Sequence, residues 1–198
     1  MSNQKILGIV GGMGPYATLD FLRHIYNETP VNVDSDHIRI VSDINVKIPS
    51  RTRSVLYNEE SPCDYIVNSI NSLYEFGAAI VALPCNSVHY FYDNVTPHIK
   101  IPWLNMIEVV SDKVKILNHS EIVILGGYVT VSKRIYNKFL PNCSYLDDFG
   151  NQLVSQLIED IKLSKGEYSE LVNKVSDYCL KSNIQTIILA CTELTVVA

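Results

Sequence analysis

The sequence predicts an α/β fold of two similar lobes, each a parallel sheet flanked by helices, with the active site in the cleft between them. Short apolar runs bounded by Gly, Pro or Asn alternate with segments of helical periodicity, which is typical of parallel sheets with right-handed crossovers. The same order of strand endings occurs twice along the 198 residues, of which 47% are apolar. A chain this apolar can bury enough surface to offset its ordering entropy.

The individual elements follow from local periodicity. Five apolar runs predict strands that are buried on both faces: Ile6–Val10, Ile38–Ile44, Ala78–Leu83, Ile122–Leu125 and Thr186–Ala190. Four segments between these runs repeat apolar residues at helical spacing: Tyr16–Asn27, Asp64–Phe76, Leu153–Leu163 and Tyr168–Leu180.

The two lobes are predicted from a repeated pattern of strand endings. One strand ends in Gly11-Gly12 and a later one ends in Cys85-Asn86, and the order recurs as Gly126-Gly127 and then Cys191-Thr192. Gly126 follows Gly11 by 115 residues and Cys191 follows Cys85 by 106 residues, so the spacing is nearly equal. We therefore predict a first lobe over 1–100, a linker over 101–115 and a second lobe over 116–198.

Charge and cysteine usage exclude several classes of protein. The chain has 16 Lys and Arg against 21 Asp and Glu, and no run of basic residues exceeds two, so a nucleic-acid partner is not expected. No apolar stretch reaches about 18 residues, so no membrane partner is expected. The amino-terminal apolar run leads into a Gly-rich turn rather than a cleavage site, which predicts a cytoplasmic protein. The five cysteines are irregularly spaced without a CxxC pair, which predicts free thiols rather than disulfides or a zinc site.

Two of these cysteines are the candidate catalytic residues. Cys85 and Cys191 each follow an apolar strand, at the edge where ligands of parallel α/β sheets collect. Each precedes a polar residue that can open a helix, and a helix amino terminus favours the thiolate. A buried structural cysteine is the alternative for either one alone. Two thiols that face each other across a cleft suit stereoinversion, because one can remove a proton from a carbon while the other returns one to the opposite face.

The Gly-rich turn after the first strand has two interpretations. Residues 12–17 fit G-x-G-x-x-A, a dinucleotide fingerprint, but the only acidic candidate for binding a ribose is Asp43, about 30 residues further on. Pro15 also removes one N–H from the turn. Alternatively, the loop at Met13 and Gly14 receives a carboxylate at the helix amino terminus.

Four further residues have both a functional and a structural interpretation. Arg51 or Arg53 could bind a carboxylate, although an isolated Arg often lies on a solvated loop. His89 follows Cys85 by four residues and could bond near the thiol or only cap and pack. Glu193 follows Cys191 by two residues and could bond to a backbone N–H or to the other lobe.

Four segments resemble the aspartate/glutamate racemase family, which is independent of pyridoxal phosphate. They occur in family order across nearly the whole chain: Gly8–Thr18, Ile48–Thr52, Pro84–His89 and Ala190–Leu194. Thr130 and Tyr136 also occupy positions similar to those of the family.

The resemblance implies which residues form the site and that no cofactor is needed. Cys85 and Cys191 would be the two acid/base thiols. Side chains that would hold the substrate carboxylate or amino group are Asn86, Ser87 and Thr192, with Met13, Gly14, Thr130 and Glu193 also in the binding site. Arg51 would bind the side-chain carboxylate, helped by a late lysine, for which Lys162 is the best match and Lys165 the alternative.

The sequence departs from the family pattern in three places. Ser50 stands where aspartate racemases commonly have an acidic residue. The family's Thr-x-Gly-Thr reads Gly127-Tyr128-Val129-Thr130, which loses one hydroxyl and adds a bulky ring. Only seven residues follow Cys191, so we expect either a form truncated relative to the family or a partner chain, as in a homodimer, that covers the exposed sheet. The expected consequence is reduced stability or oligomerisation.

The sequence therefore predicts a cofactor-independent racemase for a small amino acid, aspartate or glutamate. A related isomerase is the nearest alternative: maleate isomerase, hydantoin racemase or malonate decarboxylase. Two cysteines disfavour the decarboxylase, because that reaction needs only one proton donor. A catalytically impaired ligand-binding relative and a nucleotide-binding oxidoreductase are the alternatives from other classes.

Overall fold

The chain forms two compact units, Met1–Met106 and Ile107–Ala198. The computed structural model describes residues 5–117, 121–163, 168–182, 184 and 186–197. Each unit contains a three-stranded parallel sheet with helices beside it. This arrangement confirms the predicted α/β class with two similar parallel sheets. The boundary between the units falls inside the range 101–115 that the sequence analysis treats as a linker, and most of that range is helical.

The first unit is built on the sheet order β2-β1-β3. Its helices and strands are β1 (Ile6–Gly11), α1 (Pro15–Asn27), β2 (Ile40–Ile44), α2 (Arg51–Tyr57), α3 (Cys63–Glu75), β3 (Ala78–Ala82) and α4 (Tyr92–Val95), with 3₁₀ turns at Asp34–Asp36, Ser87–Phe91 and Thr96–His98. In the register, Gly8 of β1 lies opposite Val41 of β2 and Val81 of β3. Because all three strands are parallel, their carboxyl ends meet at one edge of the sheet.

The second unit has the sheet order β5-β4-β6. The elements from Met106 onward are α5 (Met106–Leu117), β4 (Ile122–Gly126), α6 (Tyr128–Ser132), β5 (Ser144–Tyr145), α7 (Asp148–Lys162), α8 (Ser169–Lys181) and β6 (Thr186–Ala190), with 3₁₀ turns at Ile135–Lys138 and Leu194–Val197. Its strands are again all parallel, with Gly126 opposite Ala190 where β4 and β6 end.

The core of the first unit forms where α3 packs on the sheet. Ile66 and Ile70, one helical turn apart on α3, are fully buried together with Val10 and Val81 of the strands. Burying one such side chain contributes about 1.5–3 kcal/mol. The face of α3 on which apolar residues recur at helical spacing is therefore the face that packs on the strands.

Strand β4 divides the core of the second unit into two layers. Val123 and Leu125 contact the apolar face of α7, whereas Ile122 and Ile124 contact the layer that contains Ile107 of α5. This division follows from the strand geometry, because successive side chains point to opposite faces of a sheet.

Five helices and strands are absent from the sequence prediction: α2, α4, α5, α6 and β5. Helix α2 is capped by Ser50, whose hydroxyl oxygen accepts a hydrogen bond from the Arg53 N–H at 3.3 Å. Helix α5 occupies most of the predicted linker. Strand β5 has only two residues, which is too short to produce an alternating pattern.

Candidate active site

Cys85 lies just past the carboxyl end of β3, at the edge of the first sheet. Its side chain is buried, and its Sγ lies 3.4 Å from the Ser87 Oγ. Its backbone N–H donates to the Leu83 carbonyl at 2.8 Å, which turns the chain sharply after the strand. The thiol therefore has a hydroxyl neighbour that can either donate a hydrogen bond to it or accept one from it.

The ring of His89 contacts the backbone at both nitrogens. Nδ1 lies 2.8 Å from the Cys85 carbonyl oxygen, and Nε2 lies 3.1 Å from the Met106 backbone nitrogen. A backbone N–H can only donate, so Nε2 accepts and Nδ1 carries the proton that is donated to Cys85. Burial lowers the pKa of His89 from 6.5 to about 4, so the ring is neutral at physiological pH.

The turn after β1 brings Met13 and Gly14 to the same edge as Cys85. The Gly12 N–H donates to Thr18 Oγ1 at 3.0 Å, and the Thr18 hydroxyl donates to the Gly14 carbonyl at 2.8 Å. Met13 is buried in the same apolar cluster as Cys85. The sequence analysis does not predict that Thr18 clamps this turn, although a hydroxyl four residues after Gly14 is the signal for it.

Arg51 has a cationic head without an anionic partner among the described residues. Its guanidinium donates only to backbone carbonyls, at 3.0 Å to Pro49, 3.4 Å to Ile48 and 3.4 Å to Met13. Its Nε is buried without a hydrogen bond within the described chain. Arg53 differs, because it donates through two nitrogens to the Glu59 carboxylate at 2.6 and 2.7 Å. Of the two arginines, Arg51 has the geometry to accept an anion from outside.

Cys191 follows β6 directly and contacts a buried carboxylate. Its thiol donates to the Glu193 Oε2 at 2.9 Å, and Glu193 is only 2% exposed. The hydrogen bond places a carboxylate directly beside the thiol. Glu193 therefore bonds to the cysteine of its own unit, a partner that the sequence analysis does not name.

Thr130 and Tyr136 lie near Cys191 in the second unit. Thr130 is buried, and a Cβ built on Gly126 would lie 3.0 Å from its Cγ2 and 2.9 Å from the Ala190 carbonyl oxygen. Burial raises the pKa of Tyr136, and the thiol of Cys191 is among its electrostatic neighbours. Its phenol therefore stays protonated beside the cysteine.

The polar neighbours of the two cysteines differ in exposure. Asn86 is buried, whereas Ser87 and Thr192 are partly exposed. The Thr192 carbonyl accepts a hydrogen bond from the Thr195 hydroxyl at 2.9 Å. Each unit thus presents polar side chains directly after its cysteine.

Both cysteines lie shortly before helical residues. Cys85 precedes the 3₁₀ turn Ser87–Phe91, which continues into α4 and the turn Thr96–His98. Cys191 precedes the 3₁₀ turn Leu194–Val197. The thiols also contact the Ser87 hydroxyl and the Glu193 carboxylate.

Lys162 is exposed in the last turn of α7. Its role in substrate binding stays a prediction. Lys165, the alternative, lies outside the described residues.

A cavity of about 400 Å³ lies at the opposite edge of the second sheet from Cys191. Its lining includes Ile122 at the start of β4 and Ile184 before β6. In the described ranges, His, Cys, Asp and Glu side chains do not gather in groups of three that could hold a metal. No helix in the described part of the chain is long and apolar enough to cross a membrane.

Comparison with known proteins identifies relatives across the whole fold. The broad specificity amino-acid racemase RacX of Bacillus subtilis (strain 168) is 26% identical over 216 residues, covering 97% of this chain and 87% of RacX. The structure of Picrophilus torridus aspartate racemase superposes with a TM-score of 0.90 at 30% identity, covering 98% of this chain and 84% of that chain.

A more distant structure shares the fold alone. Glutamate racemase from Francisella tularensis subsp. tularensis SCHU S4, solved in complex with D-glutamate, has a TM-score of 0.63 at 19% identity and covers 100% of this chain and 72% of that chain. The family model described as Asp/Glu/Hydantoin racemase matches residues 10–198. The chain therefore belongs to the Asp/Glu/hydantoin racemase family.

Proposed function

We propose that the chain racemises aspartate or glutamate by two-base proton transfer between Cys85 and Cys191. The observation that carries the proposal is the equivalence of the two thiols. Each lies just past the carboxyl end of a strand in its own parallel sheet, and each contacts a polar side chain two residues later, Ser87 or Glu193. The named activities of RacX and of the Picrophilus torridus aspartate racemase support an amino-acid substrate.

The proposed reaction is one proton exchange across a single carbon. One cysteine, as the thiolate, takes the proton from Cα, and the electron pair of that bond moves toward the substrate carboxylate. The other cysteine, as the thiol, donates its proton to the opposite face of the same carbon. The two thiols thereby exchange protonation states. The starting states return when one sulfur releases a proton to water and the other takes one up from water, with Ser87 and Glu193 beside them as hydrogen-bond partners.

The charge at Arg51 supports an acidic substrate. Its guanidinium donates to three neutral carbonyls and has further N–H donors with which it can bind a side-chain carboxylate. We assign the α-carboxylate and the amino group to the polar atoms of Asn86, Ser87, Thr130 and Thr192 and to the turn at Met13 and Gly14. Hydrogen-bond donors at the carboxylate would stabilise the carbanion-like state.

We further propose that the enzyme works without a cofactor, as a homodimer in the cytoplasm. Two acid/base thiols supply both proton transfers, so the mechanism requires no electron sink beyond the carboxylate. Ile187 and Leu189 of β6 each leave 37% of their surface exposed, which supports a partner on that strand. The five cysteines, all in the described part of the chain, form no disulfide, in keeping with a reducing compartment. Light scattering coupled to gel filtration tests the dimer.

The proposal is tested by incubation with L- and D-amino acids in deuterated water, with α-deuterium followed by NMR. The wild-type chain should exchange and racemise aspartate or glutamate, and Cys85→Ser and Cys191→Ser should each lower racemisation by at least about 100-fold. Cys63→Ser is the matched control, because this partly buried thiol is the first residue of α3 and has no proposed part in the proton transfer. Near-normal racemisation by either catalytic variant, or binding without exchange in the wild type, would overturn the proposal.

A further inference from the structure

We propose that His89 is a positioning residue that holds Cys85 in place through its backbone carbonyl. The inference rests on the proposed function of Cys85 and extends it to a residue that does not touch the thiol. The ring donates from Nδ1 to the Cys85 carbonyl at 2.8 Å and accepts at Nε2 from the Met106 N–H at 3.1 Å. It therefore bridges the turn that carries Cys85 and the first residue of α5.

The bridge determines which ring nitrogen carries the proton. The first four N–H groups of a helix have no partner within the helix, and the Met106 N–H is one of them. Its bond to Nε2 leaves the ring proton on Nδ1, where it faces Cys85. A single tautomer is thus selected by the chain itself, without a carboxylate beside the ring among the contacts described.

Aromatic rings hold His89 on its other sides. Its ring centroid lies 5.0 Å from Trp103 in a tilted contact and 6.5 Å from Tyr92 in a stacked one. The Tyr92 hydroxyl donates to the Trp103 carbonyl at 3.1 Å, and Leu104 donates to the Val81 carbonyl of β3 at 2.8 Å. The histidine is thereby fixed against the same strand that precedes Cys85.

Fixing this carbonyl matters because the cysteine follows a sharp turn. The Cys85 N–H bonds to the Leu83 carbonyl two residues back, and the 3₁₀ turn Ser87–Phe91 begins two residues after Cys85. Cys85 itself lies in neither a helix nor a strand. The His89 bond therefore supports the backbone that carries the thiol. A displacement of about 1 Å in such a support can cost about 100-fold in rate.

Two isosteric substitutions separate the two contacts of the ring. In His89→Asn the amide nitrogen takes the place of Nδ1 and can still donate to the Cys85 carbonyl. In His89→Gln the amide reaches the place of Nε2, where its oxygen can accept from Met106, and the bond to Cys85 is lost. His98→Gln is the matched control, because His98 is exposed on the same unit.

The first readout is the alkylation rate of Cys85 by iodoacetamide, followed peptide by peptide by mass spectrometry, with Cys63 and Cys179 as internal references. Loss of one hydrogen bond should speed labelling of Cys85 about fivefold or more in His89→Gln, with the references unchanged. His89→Asn and His98→Gln should stay within about twofold of wild type. This readout requires no racemisation, so it tests the positioning even if the proposed function fails.

The second readout is kinetic. His89→Gln should lower kcat by about tenfold or more and change the primary deuterium isotope effect unequally for the L- and D-substrates, because only one of the two thiols is displaced. His89→Asn should restore most of kcat. Labelling of Cys85 in His89→Gln at the wild-type rate would overturn the inference. Equal loss in the Asn and Gln variants, or an increase in labelling of all cysteines alike, would also overturn it.

Discussion

At the scale of single residues, Arg51 and Arg53 differ in the hydrogen-bond partners of their guanidinium groups. Both follow Ile48 within one short motif, and both are candidates from the sequence. Arg53 is exposed and already bonded to Glu59, whereas Arg51 donates only to carbonyls. The guanidinium of Arg51 therefore has neutral hydrogen-bond acceptors around it, which is the basis for the proposal that it binds a carboxylate.

We predict that Arg51→Gln lowers kcat/KM for the acidic amino acid by roughly 10- to 100-fold, the loss expected for hydrogen bonds to a charged group. Steady-state racemisation followed by circular dichroism of the substrate measures this change. The neighbouring Arg53→Gln should stay within about twofold, because exposed ion pairs contribute little. An equal loss in both variants would argue against Arg51 as the carboxylate anchor.

At the scale of elements, the two Gly pairs occupy equivalent sequence positions, but their second glycines differ in backbone conformation and in the space around them. Both pairs follow the first strand of a unit, as the repeat predicts. Gly12 has φ +88°, and a Cβ there would lie 2.5 Å from the Asn45 carbonyl carbon. Gly127 has φ −71°, and its Cβ would meet nothing within 4 Å. Only the first turn needs glycine at its second position.

We predict that Gly12→Ala lowers the free energy of unfolding by more than about 2 kcal/mol, because a positive φ and a backbone clash combine there. Gly127→Ala should stay within about 0.5 kcal/mol of wild type. Urea denaturation followed by circular dichroism measures both. Similar losses in the two variants would show that the two turns do not differ as described.

Sequence patterns predict the long elements and fail where a local bond decides the structure. Apolar runs predict the strands that precede Cys85 and Cys191, and apolar residues at helical spacing predict the helices α3 and α8. Both patterns arise because the buried positions of each element must be apolar. Helix α7 begins five residues before its predicted start, since the Asp147 side chain accepts from the Gly150 N–H at 2.9 Å. The sequence identifies Arg51 and Glu193 as candidates, but it does not predict their partners. These partners depend on the conformation of loops, which a hydrophobic pattern does not specify.

At the scale of the whole molecule, the two units have separate apolar cores and need not unfold together. The sequence contains one tryptophan, Trp103, which lies in the first unit against His89. Its fluorescence therefore reports the unfolding of the first unit alone. Trp103 fluorescence can therefore show how the protonation of His89 changes the stability of the first unit.

We predict that the first unit loses stability as the pH falls from 6.5 to about 4, because His89 stays neutral when folded and takes up a proton when unfolded. The contribution is present above pH 6.5 and amounts to about 3 kcal/mol. Urea unfolding followed by Trp103 fluorescence should show this extra loss in wild type and not in His89→Gln, since both share the same carboxylates. Parallel pH profiles for the two proteins would contradict the prediction.

The most direct test of the two-thiol reaction is the isotope content of both enantiomers early in a racemisation in deuterated water. Two separate bases on opposite faces predict that the newly formed enantiomer carries solvent deuterium while the remaining substrate keeps its protium. Chiral separation followed by mass spectrometry, at less than about one tenth conversion, measures both. Deuterium in both enantiomers, or substrate protium in the product, would show that a single base serves both faces and would contradict the roles given to Cys85 and Cys191.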